Sequence, residues 1–395
     1  PRSTLLASAA ASDVYKRQYE NSVKYKYYYV EGCYMKRKIT EVSVFEFFLC
    51  MFVILIHLLS EGINVFPKWS VLSIVFFTVT KLTTFAVPAF IFTSALKLFY
   101  KFSERKFTYA PFLLDRIRKI YLPYIIMVVI YYIIFVYAFH IYEFNPVSLI
   151  KYILNGVLSA QFYFVVLIMQ FYLLMPLWIL LSKHKSKLFN TIIIFIAVVC
   201  SIGFRMLISS TEYTHKIFPS YLVFWILGMY AGMYYNEFLR FLSKSRLLVY
   251  AGWLVFAILH CVTSYMEYGG VINNPFSPTI VILFCLFSTF GFYQYAYGLT
   301  ESLESRGKGF FISISGASYN IYLVHCLIIT STYEILNGIK VTDTISRFII
   351  TAVITYALSI IFCVISATLY RNFKSSFQRS SARRSRKKAA RKRYL

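Results

Sequence analysis

The chain is short of charge. Only 14% of its 395 residues are Asp, Glu, Lys or Arg, where a soluble domain averages about 25%. With 59% hydrophobic residues and apolar runs throughout, a soluble core could not hide the apolar surface, so a soluble globular protein is excluded. There are seven cysteines and no C-x-x-C pair, which excludes a disulfide framework and a metal site of recognisable spacing. Most of the cysteines lie inside apolar spans and read as small core residues. There is no G-x-S-x-G, Walker loop, H-E-x-x-H or phosphate-cradling glycine run. The common hydrolase, nucleotide and zinc chemistries are therefore absent. The loops assigned below to the outside lack the paired acids of a lipid-linked glycosyltransferase. Any catalysis has to rest on histidine.

Acid is scarce as well: 16 Asp/Glu stand against 41 Lys/Arg, a net charge of +25. This is not a nucleic-acid signature. From Arg371 onward there are eleven Lys/Arg and no acid, so residues 371–395 read as a disordered basic cytoplasmic tail drawn to anionic lipid. Residues 1–34 precede Met35 and its KRK and contain no apolar core long enough for a signal peptide. They read as a non-native or disordered segment.

Apolar stretches long enough to cross a bilayer fall at 42–60, 72–98, 120–140, 160–181, 189–208, 219–236, 248–266, 279–298, 310–333 and 347–369. The expected fold is all-α: a polytopic membrane bundle of about ten transmembrane helices, occupying residues 35–370. Alternate loops carry fourteen Lys/Arg on one side and four on the other. The basic side is the cytoplasm, and both termini fall there.

Ionisable residues inside spans are functional candidates by default. His57 lies in the outer half of the first span, and His325 in that of the ninth. Both spans run in the same direction, so the two imidazoles can share one depth. Glu46 precedes His57 by eleven residues, about three helical turns, which puts both on one face about 16 Å apart. An alternative is an interfacial Glu46 paired with a cytoplasmic arginine. His325 follows Asn320 and Tyr322 on a helix of small and polar residues, where a neighbouring helix could equally satisfy it. Arg116, Arg118 and Lys119 precede the third span as topology anchors, and the guanidinium forks also suit phosphate. Lys81 either supplies positive charge near His57 or snorkels outward. Gln161, Tyr163 and Gln170 open the fourth span, where aromatic belts are common.

Read in order, the stretches MFVILIHLL, FAVPAFIFTSALKL, RIRKIYLPYI, FYFVVLIMQFYLLMPL, YLVFWILGMYAGMYY and SISGASYNIYLVHCLII resemble the acyltransferase-3 family of integral membrane acyltransferases. The resemblance covers about residues 38–370. Within the family the chain looks most similar to the intercellular-adhesin C branch, encoded with poly-N-acetylglucosamine synthesis. Carried over, His57 is the catalytic histidine, and Arg116 and Arg118 match the donor motif. Two positions depart from the pattern. Glu46 stands where the family has arginine, and Ser94 is followed by Ala95 where the family has Ser-Gly.

The resemblance implies a bacterial plasma-membrane O-acyltransferase moving acetyl or succinyl from acyl-CoA to a cell-surface polysaccharide or sugar. The alternative is an exporter component for such a polymer. Acyl-CoA is a co-substrate, and no tightly bound cofactor or metal is expected. His57 acts as general base or is transiently acylated, while His325 and Tyr322 orient the acceptor or stabilise the oxyanion. Expected partners are the donor, the glycan acceptor and the bilayer, with a polysaccharide synthase complex as a further candidate and no nucleic acid.

Overall fold

The computed structural model describes residues 27–365 apart from 31–32, 37–38, 64, 103–106, 209–211 and 363–364. The basic tail lies outside the described residues, as does the side on which the two termini fall. Contacts divide the chain into residues 1–40 and 41–395. In the first unit an antiparallel hairpin pairs β1 (Tyr27–Val30) with β2 (Cys33–Lys36), with Val30 opposite Cys33. The polytopic helical bundle expected from the sequence is the second unit; residues 1–26, 31 and 32 lie outside the described residues.

The second unit is a bundle of apolar helices. In chain order they are α1 (Thr40–Ile63), α2 (Val71–Thr83), α3 (Ala86–Phe102), α4 (Tyr109–Arg116) and α5 (Leu122–Ile133). Then come α6 (Pro146–Asn155), α7 (Tyr163–Leu173), α8 (Met175–Ser182), α9 (Lys187–Leu207) and α10 (Leu222–Met233). The last are α11 (Tyr235–Lys244), α12 (Arg246–Tyr268), α13 (Ser277–Ser302), α14 (Ser305–Gly338) and α15 (Thr344–Phe362). Among the described residues eight helical segments are long and apolar enough to cross a membrane, or nine with the bent pair α7–α8 taken as one span. Leu247, Phe195 and Val353 are among the large apolar residues left on the surface, as a lipid-facing exterior requires.

An apolar helix stands at each of the ten expected spans, but three differ in form. The second is interrupted at Thr84–Phe85 between α2 and α3. Pro88 has no N–H to give the carbonyl of Thr84, so the ladder is weakest there. The fourth bends by 53° between α7 and α8, where Pro176 cannot donate to Tyr172. The sixth, Phe218–Met233, is about 25 Å long and short of a hydrocarbon core of about 30 Å. It is pinned instead by close packing. A Cβ on Gly228 would lie 2.2 Å from the carbonyl oxygen of Phe92, and one on Gly232 would lie 2.4 Å from that of Leu96. Glycine therefore lets α10 lie backbone to backbone against α3.

Candidate functional site

Two contacts fix how α1 and α14 lie together. Near one end, the hydroxyl of Ser315 donates to Glu46 Oε2 at 2.8 Å. Ten to eleven residues further along both helices, the rings of His57 and His325 face each other at 5.2 Å with 45° between planes. The helices are thus parallel and in step. Along this stretch they pack through Cys50, Ile54 and, just past His57, Leu58 against Ala317, Ile321 and, just before Ser315, Ile314. His325 is fully buried, and His57 is half-buried.

The turn carrying His325 is tied from several directions. Its Nδ1 lies 3.1 Å from the carbonyl of Ile321. A carbonyl only accepts, so the ring proton is assigned to Nδ1 and Nε2 holds a lone pair. Nε2 is 3.3 Å from the thiol of Cys326. The hydroxyl of Tyr131 on α5 donates to the carbonyl of Leu323 at 2.8 Å and accepts the Leu327 N–H at 2.7 Å. These are the two groups that an α-helix joins to each other across one turn. Gln161 Nε2 donates to the same hydroxyl at 2.9 Å, and the Tyr322 hydroxyl donates to the backbone carbonyl of Gln161.

One ligand atom each from His57, His325 and Cys326 lies within 4.8 Å of the other two. Among the described residues this is the group able to hold a metal ion. The Nδ1–carbonyl bond of His325 is the support that metal-binding histidines commonly have. Sequence spacing could not reveal the group, because the histidines are 268 residues apart. Cys326, read from sequence as core filling, is in fact part of the site.

Below this cluster, toward the Glu46 end, lies a cavity of about 400 Å³. Its apolar wall includes Phe90, Phe164 and Ile168, and Tyr322 lines its inner part with Ser318 and Tyr319. Lys97, Lys101, Arg116 and Lys119 line it as well. The π-helical turn Ile117–Tyr121 follows α4 directly. Arg116 and Lys119, three residues apart, share a face and line the cavity, while Arg118, two residues from Arg116, is exposed and absent from the lining. Arg116 stacks on Phe112 and Tyr172, at 5.2 and 5.7 Å from the ring centres. Its Nη2 meets Asp115 at 3.1 Å, while its buried Nε makes no hydrogen bond among the described residues. Lys119 also pairs with Asp115, at 2.5 Å. Glu46 is buried and ion-paired with Lys97.

The remaining sequence candidates separate. Ser94 lines the cavity and bonds Tyr172. Lys81 sits over the Phe77 ring at 4.9 Å, interacts with Glu267, and is absent from the lining. Gln170 holds loop backbone, donating to the Lys216 carbonyl at 2.8 Å and accepting from Phe218 N–H at 3.0 Å. Tyr163 bonds Tyr221. Asn320 is half-buried on α14 and outside the lining. His260 is buried against Ser264 and Phe284. Sequence reasoning passed over Lys97, Lys101, Tyr131 and Cys326.

The profile of the acyltransferase-3 family, described as an acyltransferase domain, matches residues 39–365. A Staphylococcus epidermidis protein, provisionally named a poly-β-1,6-N-acetyl-D-glucosamine export protein, is 22% identical over 320 residues, 77% of this chain and 84% of its own. A Bacillus subtilis protein, provisionally named a membrane-bound acyltransferase, is 24% identical over 315 residues, 76% of this chain and 83% of its own. No solved structure matches the chain.

Proposed function

Because the chain belongs to the acyltransferase-3 family and is a multi-pass membrane acyltransferase, we propose that it moves a short acyl group, acetyl or succinyl, from acyl-CoA to a hydroxyl of a cell-surface polysaccharide or sugar in a bacterial plasma membrane. The observation that carries this reading is the cavity itself: four cations line it, and a histidine pair lies one turn beyond its inner tyrosine. A donor with a phosphorylated head and a thioester at the end of a long arm suits that gradient from charge to apolar wall. Arg116, Lys119, Lys97 and Lys101 bind the phosphates as charge-assisted donors. The thioester end lies past Ser318 and Tyr319 toward Tyr322.

His57 then serves as general base for the acceptor hydroxyl, the role histidine most often fills in acid–base catalysis. Tyr322 and His325 orient the acceptor through the lone pairs of their oxygen and Nε2, their own protons being held by the Gln161 and Ile321 carbonyls. The acceptor approaches from the outer side, so donor and acceptor meet at the imidazoles from opposite faces of the membrane.

Membranes from cells expressing the full chain, given radiolabelled acetyl-CoA or succinyl-CoA, test this. Label passing to a glycan is expected, and His57→Ala should lower it by on the order of 100-fold or more. Wild-type transfer in the variant would remove His57 from the chemistry. The name of the S. epidermidis relative favours a second reading, polymer export. That reading expects secreted polymer to fall with the chain deleted, while His57→Ala leaves both secretion and acyl content unchanged.

A further inference from the structure

We propose that Cys326 is the acyl carrier of this site, and that transfer proceeds by double displacement through a thioester on its sulfur. The inference rests on the acyl-CoA reading of the donor and goes beyond it. Three observations carry it. Cys326 Sγ lies 3.3 Å from Nε2 of His325, within reach of an S–H···N bond. The carbonyl of Ile321, 3.1 Å from Nδ1, holds the ring proton on the far nitrogen, so a lone pair faces the thiol. Nucleophile, base and base-orienting group are thus all present, the arrangement by which activated thiols are recognised. The thiol is buried, one helical turn beyond Tyr322, which lines the donor cavity.

The second imidazole gives the scheme its other half. His57 stands 5.2 Å from His325 by ring centres, so two bases serve two half-reactions. In the first, Nε2 of His325 takes the proton from Cys326, Sγ attacks the thioester carbonyl carbon, and the bond from that carbon to the CoA sulfur breaks. The CoA thiolate leaves with the proton returned by His325. In the second, His57 takes the acceptor hydroxyl proton, the oxygen attacks the acyl carbon, and the carbon–Sγ bond breaks. His57 returns its proton to the Cys326 thiolate. The balance is acyl-CoA plus alcohol giving CoA plus ester. Exchange of one thioester for another leaves the acyl group as reactive as before, so the group reaches the outer half of the site still activated.

The test is isotope exchange in the full-length protein without acceptor. Radiolabelled CoA is mixed with unlabelled acetyl-CoA, and label entering acetyl-CoA is followed. Double displacement requires this exchange, while direct transfer to the glycan does not support it. Wild type is expected to exchange. Cys326→Ala is expected to lose exchange, together with glycan acylation by on the order of 100-fold or more. His57→Ala is expected to exchange yet fail to acylate glycan.

Incubation with radiolabelled acetyl-CoA should leave label on the wild-type protein that neutral hydroxylamine releases. Cys326→Ser, which keeps the packing, should hold label that resists it. Cys326→Ala that acylates glycan at the wild-type rate, or that still exchanges or carries label, overturns the carrier and leaves the donor reading standing. Wild type that acylates glycan without exchange does the same. Wild type that moves no acyl group from CoA to glycan fails the donor reading, and the carrier with it.

Discussion

Glu46 and Lys97 show how one reversed charge is accommodated. The carboxylate is buried while its lysine partner is half-exposed, so the two halves of the ion pair are not equivalent. Lys97→Ala strands a buried carboxylate with Ser315 as its remaining donor, and should cost about 2 kcal/mol, below the cost of breaking a fully buried pair because Lys97 is half in solvent. Glu46→Gln keeps an acceptor for Ser315 and releases Lys97 to water, and should cost under about 1 kcal/mol. Thermal midpoints of the two variants in detergent check this, and equal losses would contradict the asymmetry. His57, His325, Glu46 and Arg116 were legible because ionisable side chains near apolar runs stand out. Lys97 was not, because a lysine near the end of a span reads as an ordinary snorkelling residue. Arg118 is equally plain in RIRK, but it lies two residues from Arg116 and so faces away from the cavity that Arg116 lines. Cys326 was hidden by chemistry, since a thiol in an apolar helix is the expected small core residue until an imidazole is found beside it.

Among the elements, the contact of α10 with α3 is the least forgiving. Gly228→Ala would drive a methyl into the backbone carbonyl of Phe92, which cannot rotate away, so the helices must separate. A loss of about 1–3 kcal/mol is expected. Gly298 offers the contrast: it is exposed on α13, and its Cβ would meet nothing within 4 Å. Gly298→Ala should therefore be neutral or stabilising by up to about 1 kcal/mol. Detergent melting curves for the pair decide between backbone crowding and a general intolerance of substitution. Ten apolar segments were readable because membrane solvation writes itself into long runs of sequence. The break before Pro88 and the bend before Pro176 were not read, although both prolines are visible, because a proline early in an apolar run can equally well be a first-turn residue. The helices α6 and α11 lie in segments treated as loops, where alternation of apolar and polar residues is brief.

At the scale of the whole molecule, positive charge gathers at one mouth of the cavity and the imidazoles lie within. Donor binding should then weaken with salt, because the exposed lysines at the cavity act through a screening length of about 8 Å at physiological ionic strength. Raising salt, or replacing Lys101 and Lys119 together by Gln, should raise KM for acyl-CoA several-fold with little change in kcat. An unchanged KM would show that the charges only orient the protein in the membrane. The loop-charge asymmetry made that end recognisable from sequence, but the cavity there was not, since it is assembled from α1, α3, α4, α7 and α14. The hydroxyl of Tyr131 carries a lesson for anyone who would transplant this site. It sits on the two backbone groups that bracket His325 and Cys326, and it comes from a helix nearly two hundred residues earlier in the chain. A chimera that borrowed α14 alone would inherit the imidazole and the thiol without the strut that sets their angle. The smallest portable unit of this chemistry is therefore a set of helices with Tyr131 and Gln161 included, not a motif.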